Sequence, residues 1–80
     1  MSRRLTIDVK PGGWTRDVLD VVDSLQKKRF TLDEVYESEH KLAKKHPANH
    51  FVREKIRQQL QVLRKLGVLA FLGDGQYRLR

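Results

Sequence analysis

The chain has 80 residues, with 17 Lys and Arg against 10 Asp and Glu, which gives a net charge of +7. A domain of this size buries only about 60% of the surface that its unfolded chain exposes, so little remains to line a deep catalytic cavity. The absence of Cys excludes disulfides, thiolate zinc sites and thiol catalysis. The longest apolar run, residues 68–72, is far too short for a membrane helix, and the N-terminus lacks the apolar core of a signal peptide. We therefore expect one small, soluble, cytoplasmic domain without membrane contact.

The positive charge is concentrated in one part of the chain. Residues 15–40 carry more acidic than basic side chains, whereas residues 41–65 carry eight Lys and Arg and only Glu54 as an acidic residue. This segment alone equals the whole net excess. Such a run is either a solvated helix face or a surface for a polyanionic partner, and the predicted fold has to decide between them.

Residues 1–13 show only weak periodicity. Leu5 to Val9 alternates weakly, and Pro11-Gly12-Gly13 is typical of a turn or hinge. We interpret residues 1–13 as an N-terminal arm or linker and residues 14–80 as the folded domain.

The first predicted helix has Thr15 as its N-cap, and Trp14 and Leu19 have the spacing of a hydrophobic staple. One stripe of this helix is apolar: Val18, Val21, Val22 and Leu25. Three aspartates are predicted to point outward: Asp17, Asp20 and Asp23. We expect this helix to be scaffold.

The second predicted helix begins with a capping box formed by Thr31 and Glu34 and runs to about Lys45. Its acidic first turn and cationic last turn both suit the helix dipole. Pro47 ends it, and a tight turn over residues 46–49 leads onward.

The third predicted helix has Asn49 as its N-cap and Gly67 as its C′ residue. On a helical projection its buried face consists of Val52, Ile56, Gln59, Leu60, Leu63 and Leu66. The opposite face carries His50, Glu54, Arg57, Gln58, Gln61 and Lys65, with Arg53 and Arg64 on its flanks.

After Gly67 the periodicity changes from 3.6 to 2, which predicts a hairpin of residues 68–72 and 76–80 around Gly73-Asp74-Gly75. Phe30 and Thr31 can add a short third strand to its edge. The order helix, short strand, helix, turn, helix, hairpin is that of a winged helix-turn-helix domain. The expected fold class is mainly α with a small β-hairpin: three helices plus a wing.

In a winged helix the third helix lies in the DNA major groove, where Arg can donate two hydrogen bonds to guanine and Asn or Gln can pair with adenine. The base-reading candidates are Asn49, His50, Arg53, Arg57 and Gln58. Arg57 is favoured for guanine, whereas Asn49 is equally well explained as a cap. The phosphate-binding candidates are Lys41, Lys44, Lys45, Lys55 and Arg78. Asp74 at the wing tip would repel a phosphate, so we expect a weak contribution from the tip.

Competing sites are poorly supported by the residues. His46 and His50 have a zinc-ligand spacing, but Pro47 breaks the helix that would align their rings. Glu39-His40-Lys41 resembles part of a metal-dependent nuclease site, but it falls on a predicted helix with no partner acid from a strand. We therefore expect no catalytic residue, no metal and no cofactor. Four larger side chains are assigned to the core rather than to a base-stacking platform, because a domain this small has few other residues to fill its interior: Trp14, Phe71, Tyr77 and Leu79.

Several segments resemble the C-terminal winged-helix domain of DpnI-type (Dam-replacing) restriction endonucleases. The resemblance covers about residues 13–80, and its most specific parts are residues 55–61 (KIRQQLQ), 71–73 (FLG) and 77–79 (YRL). In that family a nuclease domain precedes the winged helix, and both recognise duplex GATC carrying N6-methyladenine. The resemblance implies that this chain is the recognition module without the nuclease, which belongs to the full-length parent. Asp74 departs from the family, in which we expect a basic wing tip.

Methyladenine reading is implied by the resemblance and needs an apolar contact to the methyl group on adenine N6. Ala48 and Phe51, near the start of the third helix, are the candidates, although Phe51 can equally pack against the second helix. Two other functions are weighed against duplex DNA binding. A protein-interaction winged helix is disfavoured by the basic third helix, and an RNA-binding one by the lack of exposed aromatic residues for stacking unpaired bases.

Overall fold

The computed structural model describes residues 13–80, in which four helices and a three-stranded sheet form the domain. The elements in chain order are α1 (Trp14–Ser24), β1 (Arg29–Thr31), α2 (Leu32–Tyr36), α3 (Glu39–Lys45), α4 (Val52–Lys65), β2 (Leu69–Gly73) and β3 (Gln76–Leu79). The expected fold class, a mainly helical winged helix-turn-helix domain, is confirmed. The predicted arm lies outside the described residues, except for Gly13.

The core lies where α1, α3 and α4 meet the sheet. Val18 and Val22 of α1, Leu42 of α3, and Ile56 and Leu60 of α4 are each 1% exposed or less. Burying a side chain of this size stabilises the fold by about 1.5–3 kcal/mol relative to leaving it exposed. Because one face of α4 is held in this core, the position of its opposite face is fixed.

The start of α1 differs from the sequence prediction. Its N-cap is Gly13, with no side-chain cap, and its first backbone bond runs from Asp17 N to Gly13 O at 3.0 Å. Thr15 lies inside the helix, and its hydroxyl donates to the side-chain oxygen of the buried Gln59. The predicted Thr15 cap is therefore wrong, because a tertiary hydrogen bond to α4 uses the hydroxyl. The predicted hydrophobic staple between Trp14 and Leu19 is wrong as well, because Trp14 is the first residue of the helix and not the residue before its cap.

The predicted capping box is confirmed: Thr31 N donates to Glu34 Oε1 at 2.8 Å, and Glu34 N donates to Thr31 Oγ1 at 3.2 Å. Hydrogen bonds from Lys27 and from the Thr31 backbone lower the pKa of Glu34. The continuous helix predicted after this box is interrupted between α2 and α3. Ser38 lies there at φ −95° and ψ 13°, and its N–H donates to Val35 O at 3.0 Å, which is a 3₁₀-type bond. Serine favours such turns because it is a weak helix former.

The predicted third strand is also confirmed, because β1 pairs antiparallel with β3 and gives the sheet order β1-β3-β2. Asp74 and Gly75 have φ values of 51° and 71° at the two positions of the hairpin turn, as in a type I′ turn. Leu32 N donates to Gly75 O at 2.8 Å. This bond ties the wing tip to the start of α2.

Candidate nucleic-acid interface

Helix α4 is fixed at its C-terminus by a Schellman motif. Gly67 has φ 82°; its N–H donates to Arg64 O, and Val68 N–H donates to Leu63 O, both at 3.0 Å. The prediction of Gly67 as C′ residue is confirmed. Leu66, predicted on the buried face, is exposed, because it occupies the C-cap position at the end of that face.

The N-terminus of α4 begins later than predicted. Phe51 occupies the N-cap position, and Asn49 lies two residues before it, where Asn49 Oδ1 accepts from Phe51 N at 2.7 Å. Asn49 therefore stabilises the turn rather than capping the helix, and the prediction of Asn49 as N-cap is wrong. His50 precedes the helix with an exposed side chain, as does Ala48 in the turn. The Phe51 side chain is 68% exposed, so it is not packed against the predicted second helix, which the structure divides into α2 and α3.

The outward face of α4 is polar, as predicted. Its exposed side chains within the helix are Arg53, Glu54, Arg57, Gln58, Gln61, Arg64 and Lys65. The helical projection places Arg53, Arg57 and Arg64 along one flank, towards α2 and the wing, and Lys55 on the other flank. Three guanidinium groups thus line a single side of the helix.

A groove of about 360 Å³ separates this flank from the wing. It is lined by Glu54, Arg57, Gln58, Gln61, Arg64, Phe71 and Tyr77. Phe71 and Tyr77 lie with ring centroids 5.2 Å apart, and the guanidinium carbon of Arg64 is 5.4 Å from the Phe71 centroid. Phe71 is half-exposed on β2, so its assignment to the core is wrong, whereas Trp14, Tyr77 and Leu79 do pack against the core.

Sequence reasoning did not assign Gln61, Arg64 and Phe71 to the site. The signal for Arg64 was available, since a residue seven positions after Arg57 lies on the same side of a helix. The position of Phe71 depends on how the hairpin packs beside α4, which periodicity does not reveal.

Arg53 is held by two neighbours from outside α4. Its Nε donates to Glu39 Oε1 at 2.9 Å, and its guanidinium carbon lies 4.8 Å from the centroid of the Tyr36 ring. The hydrogen bond to Glu39 raises the pKa of Arg53. Burial raises the pKa of Tyr36, against the opposing positive charges of Arg57 and Arg53. Arg53 is thus oriented, whereas Arg57 has no ion pair with a described residue.

The predicted phosphate ligands are divided between surfaces. Lys41 and Lys45 lie beside α1, in a groove of about 180 Å³ that also contains Asp17 and Asp20. Lys45 forms an ion pair with Asp17 at 3.5 Å, whereas Lys44 has no ion pair with any described residue. On the sheet, Arg78 is the cross-strand partner of Arg29. Because Tyr77 and Leu79 pack against the core, Arg78 faces the other side of the sheet from the α4 groove.

The turn before α4 is anchored to α1 by His46. His46 Nε2 lies 2.6 Å from Asp17 Oδ2, and its ring stacks on Trp14 with centroids 4.1 Å apart. Asp17 is only 6% exposed, so its predicted outward position is wrong, while Asp20 and Asp23 are exposed as expected. This contact fixes the turn through which α3 and α4 are joined.

No helix within residues 13–80 is long and apolar enough to cross a membrane. Comparison with protein families gives a match over residues 10–79 to the model described as the Dam-replacing HTH domain. The match supports a DNA-binding rather than a catalytic module.

Proposed function

Since this chain belongs to the family of Dam-replacing HTH domains, we propose that it binds double-stranded DNA sequence-specifically, with α4 in the major groove and no nuclease activity of its own. The proposal includes reading of N6-methyladenine in GATC and a nuclease domain in the full-length parent. The observation that carries it is the polar outward face of α4, where Arg57 and two glutamines project beside the wing groove. These residue types have the donors and acceptors needed for guanine and adenine edges.

Within this proposal the residues either read bases, contact the DNA at the start of α4 or bind phosphates. Arg57 reads guanine, and Gln58 and Arg53 read neighbouring bases. Asn49 and His50 contact the DNA at the start of α4. Lys44 and Lys55 bind phosphates; Lys41, Lys45 and Arg78 do so only where the backbone curves towards their surfaces. The alternative of a protein-interaction module draws some support from the exposed Leu66 and Leu72, but the basic α4 favours a polyanion.

Methylation of adenine should increase affinity for GATC by a bounded amount. Burying one methyl group contributes about 0.8 kcal/mol, near fourfold, so two methyl groups should give about tenfold or more. The proposal assigns this contact to Phe51, whose side chain is exposed at the N-cap position of α4. Fluorescence anisotropy at fixed salt should compare fully methylated, hemimethylated and unmethylated GATC duplexes with a GATC-free duplex. Plasmid carrying methylated GATC should remain uncleaved in the presence of Mg²⁺.

The matched variants are Phe51→Ala and Leu66→Ala, which remove exposed apolar side chains from opposite ends of α4. Only Phe51→Ala should reduce the methylation preference. Equal binding of all three GATC duplexes by the parent would show that methyladenine reading is absent. Failure to bind any duplex would exclude DNA binding altogether.

Arg57→Ala and Lys44→Ala should have different effects on specificity. Loss of a bidentate base contact at Arg57 should reduce discrimination by about 1–3 kcal/mol, whereas loss of Lys44 should weaken binding to all sequences alike. The measurement is the affinity ratio between the GATC duplex and the GATC-free duplex for each variant. A uniform loss for Arg57→Ala would move that residue to the phosphate class.

A further inference from the structure

We propose that Glu39 is a positioning residue that orients Arg53 for base reading, with the Tyr36 ring as its support. The inference rests on the proposed function, because it concerns the specificity of the same helix. Arg53 is the second residue of α4, and the first turn of a recognition helix is the part that approaches base edges. An arginine whose guanidinium plane is already held in one orientation loses less side-chain entropy when it forms a bidentate base contact.

The contacts around Arg53 provide that orientation. Glu39 accepts the Nε–H at 2.9 Å, which leaves the Nη donors of the guanidinium unoccupied by this contact. Tyr36 covers one face of the group at 4.8 Å from ring centroid to Cζ. The Arg53 side chain is nevertheless 60% exposed, so the group is available to a ligand. A hydrogen bond at one edge and a ring against one face constrain both the direction and the tilt of the guanidinium plane.

The charge of Glu39 makes this role separable from simple electrostatics. Glu39 is itself partly exposed beside the first turn of α4, where a carboxylate repels phosphates. Removing that charge alone should therefore strengthen binding to every DNA sequence. If Glu39 acts through Arg53, its removal should also lower the ratio of specific to non-specific affinity. Removal of a charge alone does not predict that change in the ratio.

Glu39 also begins α3, where its negative charge suits the helix N-terminus. A purely structural role of this kind would change thermal stability but not the ratio of specific to non-specific affinity. Glu37 offers a matched control, since it is an exposed acidic residue two positions earlier and has no ion pair among the described residues. Glu37→Ala removes the same charge without touching Arg53.

The experiment measures affinities of the variants for the methylated GATC duplex and for the GATC-free duplex. Glu39→Ala should lower the ratio of the two affinities about fivefold, the lower end of what a bidentate arginine–guanine contact contributes. Glu39→Gln keeps an acceptor for Nε–H and removes the charge, so it should preserve the ratio and strengthen binding to both duplexes. In the Arg53→Ala background, Glu39→Ala should have no further effect on the ratio.

A DNA-free measurement separates this inference from the proposed function. In the NMR spectrum of the free protein, the Arg53 Nε–H signal should exchange more slowly with water than that of Arg57, and Glu39→Ala should abolish the difference. Equal exchange of the two signals in the parent would overturn the positioning role, as would equal affinity ratios for Glu39→Ala and Glu37→Ala. A parent that binds both duplexes equally would overturn the proposed specificity, and with it the role of Glu39 in specificity.

Discussion

Replacing His46 with alanine should destabilise the domain by about 3 kcal/mol, because it leaves the buried carboxylate of Asp17 without its closest partner. The remaining partner, Lys45, is 3.5 Å away and largely exposed, so it compensates only in part. The same change removes the ring that stacks on Trp14 at 4.1 Å. Urea denaturation followed by circular dichroism gives the free energy of unfolding directly.

A double-mutant cycle separates the Asp17–His46 contact from the loss of the imidazole ring. Asp17→Ala should destabilise the His46→Ala variant much less than it destabilises the parent. In that variant the substitution removes a buried carboxylate that has already lost its partner. His40→Ala is the matched control, because His40 is an exposed histidine within α3, the helix that His46 follows. Its replacement should change the free energy of unfolding by less than about 0.5 kcal/mol. Equal losses for His40→Ala and His46→Ala would show that the anchor contributes nothing to stability.

The contact of His46 with Asp17 also illustrates which parts of the fold could be predicted from the sequence. Local signals were sufficient where the chain satisfies its own backbone nearby: Thr31 and Glu34 cap one another across three residues, and Gly67 supplies the positive φ that ends α4. Asp17 has its partner 29 residues away, and Thr15 has its partner 44 residues away. The sequence pattern placed Asp17 within the first helix and Thr15 only at its cap, and it contains no information about what either side chain faces in the folded domain.

The same limit applies to the candidate interface. The polar face of α4 follows from the spacing of its apolar residues, so Arg57 and Gln58 could be named from the sequence. The contact between Arg53 and Glu39 joins α4 to the first residue of α3, beside the break between α2 and α3 that the sequence did not reveal. Arg78 was grouped with the phosphate ligands because it is basic, yet strand alternation turns it away from the α4 groove. The chemical types of the side chains could be predicted from the sequence. Which of them lie together on one surface could be known only from the fold.

The affinity for duplex DNA should fall steeply with salt, because each phosphate neutralised by Lys or Arg releases condensed counterions. About five to seven contacts at a log–log slope of −0.9 each predict a loss of roughly 10³-fold between 50 and 200 mM salt. Titrations of the GATC-free duplex over this range measure the slope without the contribution of base reading.

Single substitutions should assign this slope to particular cations. Lys44→Ala should reduce its magnitude by about one, since Lys44 has no carboxylate partner among residues 13–80. Lys45→Ala should reduce it less, because Lys45 is paired with Asp17 in the free protein and must leave that carboxylate before it can neutralise a phosphate. A nearly flat salt response in the parent would mean that the basic segment does not contact a phosphate backbone. Equal changes for the two lysines would mean that the ion pair with Asp17 does not persist when DNA is bound.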